Sequence, residues 1–210
     1  MTTIAVFGGA FDPVHVGHAS VVSWILWTGQ ADRVLLAPSH AHPFGKELTP
    51  FEDRVSMCWT VAHVLGIHQV HVTRAEEMLP PPNYTINLLR HLSLPGVQDT
   101  FGSAFGRGPH RLRFVMGVDN LLKRDKWVGF DDIVRDFDPI YVDRAGVEHD
   151  LPIACPKLTD TSSTAIRERV SKGLPIGHLV LDGVRRHIER RNLYAPADAT
   201  APKLFEREKY

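Results

Sequence analysis

The sequence predicts an α/β fold, a doubly wound parallel sheet with helices on both faces and further helices closing the C-terminus. Three observations carry this. Short apolar runs of strand length alternate with helix-like segments along most of the 210 residues. The strand-like runs are predominantly apolar, as strands covered on both faces are. The first of them, Ile4 to Phe7, ends in Gly8-Gly9 and leads through a tight turn into a helix.

The elements follow in order. After the first strand, Val22, Ile25 and Leu26 recur at helical spacing between about Val16 and Trp27, with Gly29 as a stop. Val34 to Ala37 is a second strand, ended by Pro38. Thr49-Pro50-Phe51-Glu52 reads as a helix start, with Thr49 as cap, Pro50 in the first turn and Glu52 completing a capping box. That helix should reach Leu65, with Gly66 behind it. Val70 to Thr73 is a third strand. After Pro80-Pro81-Pro82 a helix is expected from Thr85 to Leu92.

Residues 95–110 are rich in Gly and polar residues and read as a flexible insertion. Leu112 to Met116 is a fourth strand, Asp131 to Arg135 a short helix, and Ile140 to Val142 a fifth strand. Helices near Ser163 to Lys172 and Leu179 to Arg191 complete one domain over 1–194, and 195–210 reads as a loose tail. Such sheets bind ligands at the carboxyl ends of their strands, where the winding reverses.

Charge and cysteine content narrow the classes of function. Twenty-four basic residues balance twenty-four acidic ones, so no global field points to nucleic acid or to an anionic membrane. The two cysteines, Cys58 and Cys155, have no zinc or disulfide spacing, which suits a reducing compartment. No basic and apolar leader precedes the first strand, and no apolar stretch is long enough to span a bilayer. A cytoplasmic protein is expected, its oligomeric state left open.

The turn after the first strand reads GGAFDPVHVGH, Gly8 to His18. Gly8 and Gly9 allow backbone to approach a phosphate, and Pro13 stiffens the turn. His15 and His18, three apart at a helix start, share one face. The free N–H groups and positive dipole end there suit an anion. The Gly-Lys-Ser/Thr ending of a Walker loop and the GxGxxG fingerprint are both absent.

This segment resembles the signature of the nucleotidylyltransferase superfamily, whose core is the H-x-G-H of His15 to His18. The resemblance implies a Rossmann-like nucleotidylyltransferase fold in which both histidines stabilise the α-phosphate of ATP and Gly8, Gly9 and Phe11 line the nucleotide site. Thr161-Ser162-Ser163-Thr164-Ala165-Ile166-Arg167 taken alone is an ordinary capped helix start. It resembles the family's second signature, with Thr161 in place of the usual isoleucine, and implies that Ser162, Ser163 and Arg167 hold the triphosphate.

Within the superfamily the middle of the chain resembles nicotinate-mononucleotide adenylyltransferases. Asn83-Tyr84-Thr85 is similar to their Ser-Tyr-Thr stretch, which implies that Tyr84 and Thr85 bind the nicotinate carboxylate, with Thr85 as helix cap. Gly117, Asp119 and Trp127 match the next landmark. Asp119 is then expected at the ATP ribose and Trp127 on the pyridine ring. Arg144 falls where the family carries an arginine near ATP. Phe44-Gly45-Lys46 looks more like the Tyr-Gly-Lys loop of nicotinamide-mononucleotide enzymes. Lys46 is expected at the β- and γ-phosphates, and no role falls to His40 or His42.

The resemblance thus implies transfer of the adenylyl group of ATP, with Mg²⁺, to nicotinate mononucleotide, giving the dinucleotide and pyrophosphate. No protein-bound metal site, nucleic acid or membrane is expected. Nicotinamide mononucleotide or phosphopantetheine as acceptor stays open. So does a catalytically silent nucleotide-binding regulator. An aminoacyl-tRNA synthetase-like domain would share H-x-G-H but needs a Lys-Met-Ser-Lys-Ser loop, which is absent.

Overall fold

The computed structural model describes residues 1–41, 47–98, 105, 109–143, 145–153, 155–157 and 161–196. Among the described residues five strands form one parallel sheet: β1 (Thr2–Gly9), β2 (Arg33–Pro38), β3 (Val70–Val72), β4 (His110–Gly117) and β5 (Ile140–Val142). Their spatial order is β3-β2-β1-β4-β5. The chain winds outward from β1 through β2 to β3, then returns to the other side of β1 for β4. The reversal therefore lies between β1 and β4. Parallel pairing of Val6 with Phe114 and of Gly9 with Pro38 aligns the carboxyl ends of the three central strands.

Strand periodicity sorts the side chains into two cores. Ile4, Val6, Leu35, Ala37, Leu112, Phe114 and Met116 face one side. Ala5, Val34, Leu36 and Val115 face the other. On the first side lie α3 (Thr85–Leu92) and a helix over Phe130–Phe137, through Leu88, Leu89, Leu92, Ile133 and Phe137. On the second lie α1 (Val16–Trp27), α2 (Phe51–Leu65) and two C-terminal helices, Ser163–Ser171 and Asp182–Arg190. With single-turn helices α4 (Pro95–Gln98) and α5 (Val118–Leu121) between, the last three are α6 (Phe130–Phe137), α7 (Ser163–Ser171) and α8 (Asp182–Arg190).

The last helix docks closely on α2. A Cβ at Gly183 would sit 2.6 Å from the Thr60 methyl, so only glycine lets the two helices approach this far. Asp53 of α2, 3% exposed, takes the His187 ring at 2.9 Å and Arg191 Nε at 3.0 Å on one oxygen. Burial alone would raise the Asp53 carboxyl. The hydrogen bonds from Arg191 and His187 outweigh it and hold the group below the usual aspartate range.

Several expectations are corrected. The capping box at α2 is not formed: Pro50 occupies the cap position without a side-chain bond, and Glu52 pairs with Arg74 instead. At α3 the cap position is Tyr84, so Thr85 is the first helical residue. The segment 95–110 is not wholly loose. Its first four residues form α4, Phe105 is buried, and His110 N donates to Gln98 Oε1 at 3.0 Å. Residues 99–104 and 106–108, and the tail beyond 196, lie outside the described residues.

Candidate active site

The turn after β1 is held from several sides by its backbone carbonyls. Gly9 O accepts from Ser39 N at 2.9 Å, and Ala10 O accepts from Arg54 Nη1 at 2.8 Å. Asp12 O accepts from Arg167 Nη1 at 2.7 Å, and Pro13 O from the Ser163 hydroxyl at 3.0 Å. Within the turn Phe11 is 1% exposed and adopts a left-handed φ of 48°, a conformation that non-glycine residues keep only where packing fixes it.

His15 occupies the cap position of α1 and His18 the third helical position, which places the two rings over one another with centroids 3.8 Å apart. His18 Nδ1 accepts from the His15 N–H at 3.2 Å. A neutral His18 with Nδ1 so engaged carries its proton on Nε2. Phe11 packs edge-on against His18 at 5.0 Å and Phe7 lies at 5.8 Å, which limits the rotamers open to the ring. The α1 amino end is further tied down by Val16 N, which donates to Leu179 O at 3.0 Å.

The second motif meets the first at this point. Ser162 caps α7, accepting from Ala165 N at 3.2 Å. Ser163 reaches Pro13, and Arg167, one turn in, reaches Asp12. Both hydrogen bonds span about three-quarters of the chain and bring His15, His18, Ser163 and Arg167 to one edge of the sheet, at the carboxyl end of β1.

Beneath the turn lies a group of residues that the sequence patterns did not single out. Arg54 is 1% exposed, and burial is the main influence lowering its pKa. Its Nε donates to Thr49 O at 2.8 Å. Asp12 is 4% exposed; its carboxylate accepts from the Tyr194 hydroxyl at 2.7 Å and from Thr49 N at 3.3 Å. A signal for Arg54 did exist, since it is a charge on the apolar stripe of Met57, Cys58 and Val61. Tyr194 gave none.

Gly8 and Gly9 end β1, and Gly117 ends β4 on the other side of the reversal. A Cβ at Gly117 would lie 2.6 Å from Asp119 Oδ1. The Asp119 carboxylate folds back over this glycine, and a side chain here would displace it. Trp127 is half-buried, with its ring 5.8 Å from Phe114 of β4. A cavity of about 470 Å³ opens beside Trp127, lined also by Arg124, Gly129 and Phe130. Gly129 abuts Ile86, so the Trp127 loop and the start of α3, where Tyr84 is exposed and Thr85 half-buried, are neighbours.

Glu76, also not foreseen, links this second half of the site to the loop after β2. It is 7% exposed; Oε2 accepts from His40 N at 2.9 Å and faces the Asn83 amide, which also donates to Glu76 O at 2.9 Å. Burial raises its carboxyl above the usual range against those bonds. Lys46, with Phe44, Gly45 and His42, and Arg144 lie outside the described residues. Among the described residues, no group of three His, Cys, Asp or Glu side chains is placed to hold a metal ion. No helix there is long and apolar enough to cross a membrane.

The cytidylyltransferase-like family profile matches residues 6–169. Two relatives bear the name nicotinate-nucleotide adenylyltransferase. That of Anaeromyxobacter sp. strain K is 37% identical over 194 residues, covering 91% of this chain and 96% of its own. That of Anaeromyxobacter dehalogenans strain 2CP-C is 38% identical with the same coverage. The nicotinic acid mononucleotide adenylyltransferase of Plasmodium falciparum, solved in complex with NaAD, shares the fold. Its TM-score is 0.69 at 18% identity, covering 92% of this chain and 98% of that one.

Proposed function

The chain belongs to the nicotinate-nucleotide adenylyltransferase family of cytidylyltransferase-like nucleotidyltransferases, and from that premise we propose that it joins nicotinate mononucleotide to the adenylyl group of ATP. The observation that carries the reading is the meeting of the two motifs. The stacked His15 and His18 and the guanidinium of Arg167 adjoin one turn, at the point where the sheet reverses.

In this reading a 5′-phosphate oxygen of the mononucleotide attacks the α-phosphorus of ATP. A new P–O bond forms, the bond from the α-phosphorus to the bridging oxygen breaks, and its electron pair leaves with pyrophosphate. A phosphate is already a sufficient nucleophile, so the protein need only position it and stabilise charge. The His18 Nε2–H and His15 face the α-phosphoryl group. Arg167, Ser162, Ser163 and Lys46 take the leaving pyrophosphate. Mg²⁺, supplied with ATP, would neutralise part of the triphosphate charge that Arg167, Ser162, Ser163 and Lys46 also meet.

Gly8, Gly9 and Phe11 line the nucleotide, with Gly117, Asp119 and Arg144 around its ribose and base. Tyr84 and Thr85 present the α3 amino end to the nicotinate carboxylate, while Trp127 offers its face to the ring. The free, buried Cys58 and Cys155 suit a cytoplasmic setting.

The acceptor is tested by measuring pyrophosphate release from ATP with nicotinate mononucleotide and with nicotinamide mononucleotide, side by side. The expected result is a higher kcat/KM for the acid. Equal rates, or a preference for the amide, would reject nicotinate as the acceptor.

A further inference from the structure

The catalytic turn has one anchor that neither motif supplies. Asp12 stands three residues before His15, and its carboxylate is buried. One oxygen takes the long 3.3 Å contact from Thr49 N, while the other takes the short 2.7 Å hydrogen bond from the Tyr194 hydroxyl. A buried carboxylate is stable only when its oxygens are engaged, and a hydroxyl at this distance is the stronger of the two donors.

The segment that follows α8 is shaped to deliver that hydroxyl. Beyond α8, Asn192 and Tyr194 adopt left-handed φ values of 50° and 64°, and Leu193 N closes back on Ile188 O at 3.0 Å. The Asp53 bonds to His187 and Arg191 fix α8 itself on α2. Leu193 and Tyr194 pack against the core that α1 and α2 share. Burial raises the Tyr194 hydroxyl well above its usual range, so it stays a donor at every working pH.

We propose that Tyr194 is a positioning residue: by bonding Asp12 it fixes the turn from Ala10 to His15, and with it the aim of His15, His18 and Arg167. The proposal rests on the adenylyl-transfer reading. Tyr194 touches no substrate in it and acts through the turn alone. Its loss therefore lowers turnover and leaves nucleotide binding nearly as it was. Misplacing reacting groups by a fraction of an ångström is enough to slow a transfer that depends on alignment.

The test uses the full chain with Tyr194→Phe, which removes only the hydroxyl, and Asp12→Ala, which removes its acceptor, singly and together. For Tyr194→Phe the expected result is a kcat about tenfold lower with KM for ATP and mononucleotide within about twofold. The loss in the pair should fall well short of the product of the two single losses, because each change alone removes the Tyr194–Asp12 hydrogen bond. Amide exchange across residues 10–15 should be faster in Tyr194→Phe than in the parent, a readout independent of turnover. Unchanged kcat, losses that multiply in the pair, or unchanged exchange would each overturn the positioning role. A parent that releases no pyrophosphate would instead overturn the transfer reading itself, and the positioning role with it.

Discussion

Arg167 and Asp12 stand 155 residues apart in the chain, yet the guanidinium Nη1 of one lies 2.7 Å from the backbone carbonyl of the other. That hydrogen bond fastens the start of α7 to the turn that carries His15 and His18. It also orients the guanidinium: with Nη1 on Asp12 and Nη2 on Thr164 Oγ1 at 3.2 Å, the charge sits beside the turn. A cation fixed before substrate arrives needs little reorganisation as negative charge develops.

His18→Ala should lower kcat by about 10²–10³, the loss typical of one well-aimed donor to a developing oxyanion. His18 is only half-buried, so circular dichroism and the thermal midpoint should stay close to the parent. Steady-state kinetics alongside a melt checks both halves, and a variant with parental turnover would remove His18 from the chemistry.

Gly117→Ala should act on ATP rather than on the mononucleotide. Its new methyl would occupy the place of Asp119 Oδ1, displacing the carboxylate proposed to receive the ribose. Losing one hydrogen bond to a charged group costs about 1.5–3 kcal/mol, so KM for ATP should rise about tenfold or more. Titration of each substrate with the other saturating measures this. An unchanged KM for ATP would place the ribose elsewhere.

Glu76→Gln should change stability with a definite pH dependence. Burial raises the Glu76 carboxyl, so the fold favours its protonated form. The parent has this contribution in full below the unfolded value of about 4.3 and loses it as pH rises through the higher folded value. Glutamine keeps an acceptor for His40 N and has no proton to lose. The thermal midpoint of the variant relative to the parent should therefore climb as pH rises above the unfolded value of about 4.3. A flat difference across that range would contradict the assignment.

Asp53 has the opposite sign. Its folded carboxyl is depressed, so its contribution is complete above the unfolded value of about 3.9 and is lost as pH falls through the lower folded value. Asp53→Asn should lower stability at neutral pH by about 1–3 kcal/mol, with the gap to the parent narrowing below about pH 4. Urea titrations at pH 7 and pH 3 read both quantities, and a gap that widens in acid would rule the account out.

The alternation of strands and helices was legible because it is local. Apolar runs such as Val34 to Ala37 and stops such as Gly66 declare themselves within a few residues. Capping was less legible, since it depends on competitors. Glu52 has a partner in Arg74, twenty-two positions away, and so does not cap α2. His15, His18, Ser163 and Arg167 were readable as motifs, but their meeting is a property of the sheet order. Tyr194 was invisible: its partner Asp12 is 182 positions away, and nothing in the turn after α8 marks it.

The proposed chemistry is attack of the mononucleotide phosphate on the α-phosphorus of ATP at the His15–His18–Arg167 turn. It is tested most directly with nicotinate mononucleotide carrying ¹⁸O in its phosphate, the product being read by phosphorus magnetic resonance. The expected result is a dinucleotide whose bridging oxygen is ¹⁸O, together with unlabelled pyrophosphate. An unlabelled bridge, or no dinucleotide at all, would contradict the account.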